Sequence, residues 1–271
     1  MVVFILIVLG LCLGSFVNAL VWRIHEKSKD SKKDTNLSII NGRSMCSKCR
    51  NPLTARDLIP VLSWLSLKGK CRYCRQPISD SPLVELLLPI IFVFSYLFWP
   101  HDFNTTQSIL FGLWLIFLVG LMSLAVYDFK WYLLPNTIIY PLLGLAALQV
   151  IFLSLSSSSS SEVIKDALFG LAVGGGLFYA LFQISHGKWI GGGDVKLGAL
   201  LGILVGGPLP SFLLIFIAAL IGSFLALPLL LTGRAKRGTR LPFGPFLIMA
   251  AVVVKLFGVT IIEWYKNRIL L

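Results

Sequence analysis

Apolar stretches long enough to cross a lipid bilayer recur along the whole of this 271-residue chain. Hydrophobic residues make up 56% of the sequence and charged residues only 13%, a composition that excludes an ordinary soluble protein. Because a segment in lipid must satisfy its own backbone hydrogen bonds, these stretches predict an all-α integral membrane protein with about eight transmembrane helices. The predicted spans are 1–22, 83–99, 107–127, 133–154, 166–185, 194–206, 209–231 and 242–262.

Two of the predicted spans have distinctive compositions. The span 194–206 is short and contains glycine, so we expect a broken or tilted helix there. The span 1–22 lacks the basic residues that begin a signal peptide, and no small-residue cleavage site is evident before Trp22-Arg23. We therefore expect it to be a retained anchor.

The basic residues are concentrated in two segments between spans. The formal net charge of +12 would suit a nucleic-acid partner, but thirteen Lys and Arg residues fall in 23–80 alone. The segment 232–240 adds Arg234, Lys236, Arg237 and Arg240. Cytoplasmic loops of membrane proteins carry such an excess of Lys and Arg. We therefore expect the N-terminus outside, the segment 23–80 in the cytoplasm, the lipid bilayer as a partner, and no nucleic acid.

This topology predicts three parts of the chain. A first transmembrane helix occupies 1–22, a small cytoplasmic loop domain occupies 23–80, and a multi-helix membrane core occupies 81–271. The loop domain is too small to bury much apolar surface, so we expect another source of folding free energy.

Two Cys-x-x-Cys pairs in the loop domain predict that source. The pairs are Cys46-Ser-Lys-Cys49 and Cys71-Arg-Tyr-Cys74, at the spacing of a four-thiolate Zn²⁺ site. Each pair presents two sulfur atoms from one turn, and neighbouring basic residues favour the thiolate form. Two disulfides are disfavoured on a cytoplasmic face, and a redox Cys-x-x-Cys lacks the expected βαβ context. Four thiolates leave no open coordination position, which favours a structural over a catalytic metal.

Two aspartates lie at the cytoplasmic ends of predicted spans. An acidic side chain at membrane depth is costly unless it has a partner or a function, so Asp128 and Asp194 are candidate site residues. Asp194 closes the run Gly191-Gly192-Gly193, whose backbone allows another chain to come close. If the carboxylates meet in space, they can share one proton and activate water for peptide hydrolysis.

Other interpretations of the same residues stay open. Each aspartate would be a helix-end charge paired with a nearby lysine, and Asp194 suits a helix N-terminus. The chain would alternatively be a transporter that binds protons or cations at the two aspartates, although no inverted repeat is obvious. A third alternative is a non-enzymatic scaffold whose zinc loop binds a partner protein.

Several short motifs, in order along most of the chain, resemble the type IV prepilin peptidases, which are membrane aspartic enzymes with a GxGD motif. They are Gly14-Ser15-Phe16-Val17-Asn18 with Arg23, the two cysteine pairs around 59–65 and 68–70, Pro82-Leu83-Val84-Glu85, Asp128 with Leu134-Pro135-Asn136, Gly191-Gly192-Gly193-Asp194 with Lys196, and Phe243-Gly244-Pro245-Phe246. Alone, the glycine–aspartate motif is weak, whereas the whole ordered set is specific.

The resemblance implies a substrate and catalytic residues. The family cleaves type IV prepilins or pseudopilins at the cytoplasmic face of the bacterial inner membrane, between a basic leader and a hydrophobic segment. Asp128 and Asp194 match the two catalytic positions. The residues expected to support the catalytic loop are Gly191, Gly192, Gly193 and Lys196.

The resemblance also implies a second activity. Many members methylate the new N-terminal residue with S-adenosylmethionine, an activity associated with the first loop, and Zn²⁺ there is implied as well. Asn18 and Glu85 are the candidate methyl-transfer residues, with interhelical hydrogen bonding as the alternative role. Where the family commonly has Arg-Tyr before Pro82, this chain has Asp80-Ser81. That departure leaves a peptidase without methyltransferase activity as a narrower alternative.

Overall fold

The structure is a computed structural model that describes residues 1–29, 38, 42–78, 82–233 and 241–269. The described residues are mainly helical, with isolated bridges in the cysteine loop. The elements are α1 (Val2–Lys29), a 3-10 helix (Ala55–Leu58), α2 (Leu62–Ser66), α3 (Leu83–Leu97), α4 (Thr105–Trp131), α5 (Asn136–Ser156), α6 (Ser160–Ile184), α7 (Gly192–Val205), α8 (Pro208–Leu231) and α9 (Gly244–Ile269). Four basic residues used in the topology prediction lie outside the described residues, namely Arg234, Lys236, Arg237 and Arg240. Asp80 and Ser81 also lie outside them.

Six helices in the described part of the chain are long and apolar enough to cross a membrane, namely α1, α4, α5, α6, α8 and α9. This confirms the all-helical, multi-pass prediction but not the count of eight spans. The helices at the other two predicted spans, α3 with 15 residues and α7 with 14, extend only about 22 and 21 Å. The hydrocarbon core is about 30 Å thick. α3 ends before Trp99-Pro100, and α7 ends before two glycines with positive φ, Gly206 and Gly207.

The chain divides into two compact units, which are described one at a time. The first comprises Met1–Leu97 with Leu115–Ser123, and the second comprises Phe98–Trp114 with Leu124–Leu271. We call them the loop unit and the core unit. The predicted boundaries at 22 and 80 stay predictions.

In the loop unit, α1 and α3 pack with their backbones in close approach. A Cβ added at Gly14 would lie 2.7 Å from the Cα of Glu85, and one added at Gly10 would overlap Pro89. Small residues allow this approach, which dispersion then stabilises in lipid. Because Asn18 lies one turn beyond Gly14 on the same face of α1, the approach brings Asn18 and Glu85 to the same region.

In the core unit, glycines join α6 to α7 in the same way. Gly170 faces the carbonyl of Gly202, and Gly174 faces the carbonyl of Gly198, so a side chain at either position would overlap the other helix. The backbone N–H of Gly207 donates to the carbonyl of Asp166 at 2.7 Å, which fixes the turn that follows α7. These contacts hold a short helix, α7, that carries Asp194 at its start.

Candidate active site and metal centre

Asp128 lies in the last turn of α4 and is only 6% exposed. The dipole of α4 is unfavourable for a carboxylate at that position. The structure compensates with a second helix end, because the Asp128 Oδ2 accepts a hydrogen bond from the backbone N–H of Gly244 at 3.1 Å. Gly244 is the first residue of α9, so its N–H and the α9 dipole both favour negative charge. The carboxylate therefore has a buried, electrostatically favourable position.

Asp194 lies in the first turn of α7 and is half-buried. Its Oδ2 accepts a hydrogen bond from the backbone N–H of Gly191, the N-cap residue, at 3.2 Å. This contact fixes the carboxylate at the positive end of the α7 dipole. Gly191 and Gly192 are exposed, so the backbone beside Asp194 is open on that side.

The helix ends that carry the two aspartates meet at the start of α9. The carboxyl groups of Asp128 and Asp194 lie within electrostatic range of each other. A Cβ added at Gly244 would lie 2.6 Å from Asp128 Oδ2 and 3.5 Å from Leu197, which is one turn after Asp194. The ends of α4, α7 and α9 therefore meet around Gly244, and no larger residue fits there without displacing the carboxylate.

The segment that follows Asp128 packs against the start of α7. A Cβ added at Gly193 would lie 2.9 Å from the Cβ of Leu134. The Lys196 ammonium donates to Asn136 Oδ1 at 2.8 Å and lies 5.2 Å from the ring centroid of Tyr140. Lys196 thus joins the two motifs to each other and forms no salt bridge with Asp194. Within the described residues, neither Asp128 nor Asp194 forms a salt bridge, which disfavours the paired helix-end interpretation.

The segment 243–246 completes this site. Gly244 had no predicted role of its own, although the motif that contains it was visible in the sequence. Phe243 packs against Phe178 of α6 with ring centroids 5.9 Å apart, and also against Phe246. These ring contacts anchor the start of α9, which in turn presents the Gly244 N–H to Asp128.

In the loop unit, the four predicted cysteines come together. Their sulfur atoms all lie within 4.8 Å of one another, and the Cys46 and Cys74 sulfurs are 3.9 Å apart. A disulfide would need about 2.05 Å, whereas ligands of one tetrahedral Zn²⁺ at about 2.3 Å lie roughly 3.8 Å apart. The quartet Cys46, Cys49, Cys71 and Cys74 therefore fits one four-coordinate metal ion.

Two matching turns build this quartet. In the first, the Arg50 N–H donates to the Cys46 carbonyl at 3.0 Å, and Met45 bridges to Pro52. In the second, the Arg75 N–H donates to the Cys71 carbonyl at 3.0 Å, and Lys70 bridges to Pro77. The two turns are similar because both have the sequence pattern Cys-x-x-Cys-Arg-x-Pro.

The first turn favours an ionised sulfur at one of its two cysteines, Cys46, while the neighbouring sulfurs of Cys46 and Cys74 raise the pKa of Cys49. Burial opposes ionisation of Cys46, but hydrogen bonds from the backbone N–H groups of Cys49 and Lys48 lower the pKa of its thiol to about 7. A thiolate is the form that binds a metal ion. Nearby, the Asp57 side chain is 3% exposed and bonds to Arg72 Nε at 2.7 Å, an ion pair that spans from the 3-10 helix to the second turn. Backbone hydrogen bonds and this ion pair thus preorganise the loop.

A cavity of about 160 Å³ lies within the loop unit beside the quartet. Residues that line it include Asn18, Trp64, Glu85, Cys46 and Cys71. The structure therefore brings both predicted methyl-transfer candidates to one cavity, with two of the cysteines in its wall.

Three polar groups of this cavity are defined by their contacts. Asn18 is 8% exposed. Glu85 Oε2 accepts a hydrogen bond from the backbone N–H of Val61 at 2.7 Å, and Val61 has a φ of 59°, a strained conformation for a β-branched residue. The buried indole N–H of Trp64 donates to no acceptor among the described residues. A buried donor without an acceptor is costly, and a water molecule or a ligand in the cavity would supply the acceptor.

Comparisons with known proteins agree with the motifs. Residues 8–99 match the bacterial peptidase A24 N-terminal domain, and residues 115–227 match the type IV leader peptidase family. The chain is 33% identical to the prepilin leader peptidase/N-methyltransferase of Bacillus subtilis over 96% of each chain. It is 31% identical to the protein of that name in Aeromonas hydrophila, over 96% of this chain and 92% of that one. No solved structure matches it.

Proposed function

Because this chain belongs to the type IV leader peptidase family, we propose that it removes the basic leader of type IV prepilins or pseudopilins at the cytoplasmic face of the bacterial inner membrane, and then methylates the new N-terminus. It is a prepilin peptidase with N-methyltransferase relatives. Membership of this family favours an enzyme over the transporter and scaffold alternatives. The observation that supports the peptidase mechanism is the meeting of α4, α7 and α9 around Gly244, with Asp128 and Asp194 within electrostatic range of each other.

Hydrolysis needs one proton acceptor and one proton donor. In the proposed reaction, one carboxylate accepts a proton from water as the water oxygen attacks the scissile carbonyl carbon. The other carboxyl group, protonated because two close like charges disfavour double ionisation, donates a hydrogen bond to the carbonyl oxygen. Collapse of the tetrahedral intermediate breaks the C–N bond, and the amine leaves with a proton from the pair.

The helix ends contribute to binding and orientation. The Gly244 N–H holds Asp128, and the Gly191 N–H holds Asp194, so the two carboxylates are positioned before substrate arrives. The exposed backbone at Gly191 and Gly192 leaves room for an extended peptide beside Asp194. A prepilin that has its hydrophobic segment in lipid and its leader in the cytoplasm places the scissile bond at the cytoplasmic surface of the membrane. We expect Asp128 and Asp194 to lie at that surface.

We assign the methyl-transfer site to the cavity of the loop unit. S-adenosylmethionine supplies a methyl group on a cationic sulfonium when it is bound. Trp64 offers a buried N–H donor, and Glu85 offers a carboxylate that favours a cationic group, with Asn18 beside them. Cys46, Cys49, Cys71 and Cys74 would hold one Zn²⁺ as a closed structural site that fixes the cavity wall.

A cleavage assay tests both halves. The full-length protein in membranes is incubated with a model prepilin and S-adenosylmethionine, and the product is measured by mass spectrometry. We expect loss of the leader together with the mass of one added methyl group on the new N-terminus. Prepilin that still carries its leader after prolonged incubation would refute the proposed function. Leader loss without a methyl group would establish the narrower, peptidase-only alternative.

Gly244 provides a further test of the peptidase site. We expect Gly244→Ala to lower the cleavage rate by about 10²-fold, because the added Cβ forces the Asp128 carboxylate away from its position. Gly176→Ala is the matched control, since a Cβ there meets nothing within 4 Å. The measurement is the initial rate of leader loss for both variants at equal protein levels. Equal rates would show that the Asp128 position around Gly244 does not matter for cleavage.

A further inference from the structure

A second cavity, of about 230 Å³, lies within the core unit at the end remote from the aspartates. It is lined by Gln107 in the first turn of α4, whereas Asp128 lies in the last turn of that helix. It is also lined by Leu204 at the end of α7, whereas Asp194 lies at its start. A cavity of about 15 Å³ already holds one water molecule. This cavity therefore has room for a polar group of several atoms. The proposed peptidase reaction does not use it.

Lys255 lines this cavity with a basic side chain. It lies in the middle of α9, inside a segment long and apolar enough to cross the membrane. An ionisable side chain at such a position is costly and marks a functional site by default. Its ammonium donates to the carbonyl of Leu204 at 3.3 Å, one of the last carbonyls of α7. That contact uses one of the three donors of an ammonium group, and no described residue forms a salt bridge with Lys255.

The other polar lining groups are also suited to an anion. They are the imidazole of His101 and the amides of Gln107 and Gln149. Gln107 Oε1 accepts a hydrogen bond from the indole N–H of Trp99 at 3.3 Å, so the NH₂ group of that amide stays available as a donor. Among the described residues, no Asp or Glu lines the cavity, and Asp102 beside His101 is outside its lining. The cavity therefore combines a cation and amide donors with no carboxylate.

The cavity lies beside exposed apolar residues. Val259, which lines it, is 61% exposed. Pro210 lines it in the first turn of α8, and its neighbours Leu209 and Phe212 are exposed apolar residues. His101 is exposed in the loop between α3 and α4. The cavity thus lies between polar side chains, such as His101, and an exposed apolar surface, an arrangement that matches a lipid headgroup and its acyl chains.

We propose that this cavity binds the phosphate headgroup of an anionic membrane phospholipid, with Lys255 as its counter-ion and the acyl chains along the exposed apolar residues around Val259 and Phe212. Gln107 and Gln149 donate hydrogen bonds to the phosphate or glycerol oxygens. Because Lys255 also contacts the end of α7, bound lipid stabilises the short helix that carries Asp194 at its other end. This site is independent of the proposed peptidase chemistry.

Lipid-dependent stability tests the proposal. The full-length protein is delipidated in neutral detergent, and its thermal unfolding midpoint is measured with phosphatidylglycerol, with phosphatidylcholine, or with inorganic phosphate. At a hundredfold excess over the dissociation constant, we expect phosphatidylglycerol to raise the midpoint by about 5–10 °C. A smaller rise with phosphatidylcholine and none with inorganic phosphate would support a lipid in the cavity. An equal rise with inorganic phosphate would overturn the lipid assignment in favour of a free-anion site.

Variants identify the residue responsible. We expect Lys255→Met to lose the phosphatidylglycerol shift and Lys255→Arg to keep it. Lys266→Met is the matched control, because Lys266 is an exposed lysine in the last turn of the same helix. Gln149→Leu provides a second test, with a reduced shift expected, should Lys255→Met fail to fold. A full lipid shift in either Lys255→Met or Gln149→Leu, or no shift in the unmodified protein, would overturn the proposal.

Discussion

Asp128→Asn and Asp194→Asn are each expected to lower prepilin cleavage by roughly 10²- to 10⁴-fold, the range typical of losing a general acid or base. Asparagine keeps the shape of aspartate, and its carbonyl oxygen still accepts the hydrogen bond from Gly244 or Gly191. It cannot accept a proton from water or pass one to the leaving amine. The measurement is the rate of leader loss from a model prepilin, with each variant reconstituted in membranes.

Stability separates this chemical effect from misfolding. Removing one of two close carboxylates relieves repulsion between like charges, so the thermal unfolding midpoint of each variant should be unchanged or higher. Asp166→Asn is the matched control, because Asp166 is an exposed carboxylate in α6 of the same unit. We expect that variant to cleave normally. Normal cleavage by Asp128→Asn or Asp194→Asn would remove that residue from the mechanism.

Cys46→Ser combined with Cys71→Ser is expected to reduce bound Zn²⁺ from about one ion per chain to near zero, since each turn then loses a thiolate. Structural zinc supplies about 10–16 kcal/mol of apparent folding free energy in small zinc domains, so the cysteine loop should lose its fold. Methylation should be lost with it, because both cysteines line the cavity that holds Asn18 and Glu85. Metal content by elemental mass spectrometry and limited proteolysis of the loop measure the two effects.

Cys12→Ser is the matched control for the cysteine experiment. Cys12 is exposed on α1 and is not part of the quartet, so its replacement should leave zinc content and methylation unchanged. Retention of one Zn²⁺ per chain by the double variant would contradict the four-thiolate assignment. Zinc loss with an intact, protease-resistant loop would show that the metal does not hold the fold of the loop.

The sequence was sufficient for features that depend on local chemistry. Apolar composition predicted the helices, because a segment in lipid satisfies its backbone hydrogen bonds within itself. Cys46, Cys49, Cys71 and Cys74 were predicted as one set, because each pair presents both sulfurs from a single turn. Asp128 and Asp194 stood out because a carboxylate at the end of an apolar span is costly without a function.

The sequence located α3 and α7 to within two residues at each end, since the predicted spans were 83–99 and 194–206. The count of eight spans was not confirmed, because helices of 15 and 14 residues extend through only part of the hydrocarbon core. α3 ends before Trp99-Pro100, and α7 ends at Gly206-Gly207, where both glycines have positive φ.

Partners far apart along the chain were decided by tertiary structure alone. Asp128 and Gly244 are separated by 116 positions, and their hydrogen bond exists because the end of α4 meets the start of α9. The contacts of Lys196 with Asn136 and of Lys255 with Leu204 likewise join elements distant in sequence. The sequence by itself determined which side chains are ionisable and which have the chemistry to bind a metal ion or transfer a proton. Helix packing determined which of them meet, because close approach at small residues depends on shape complementarity between whole helices.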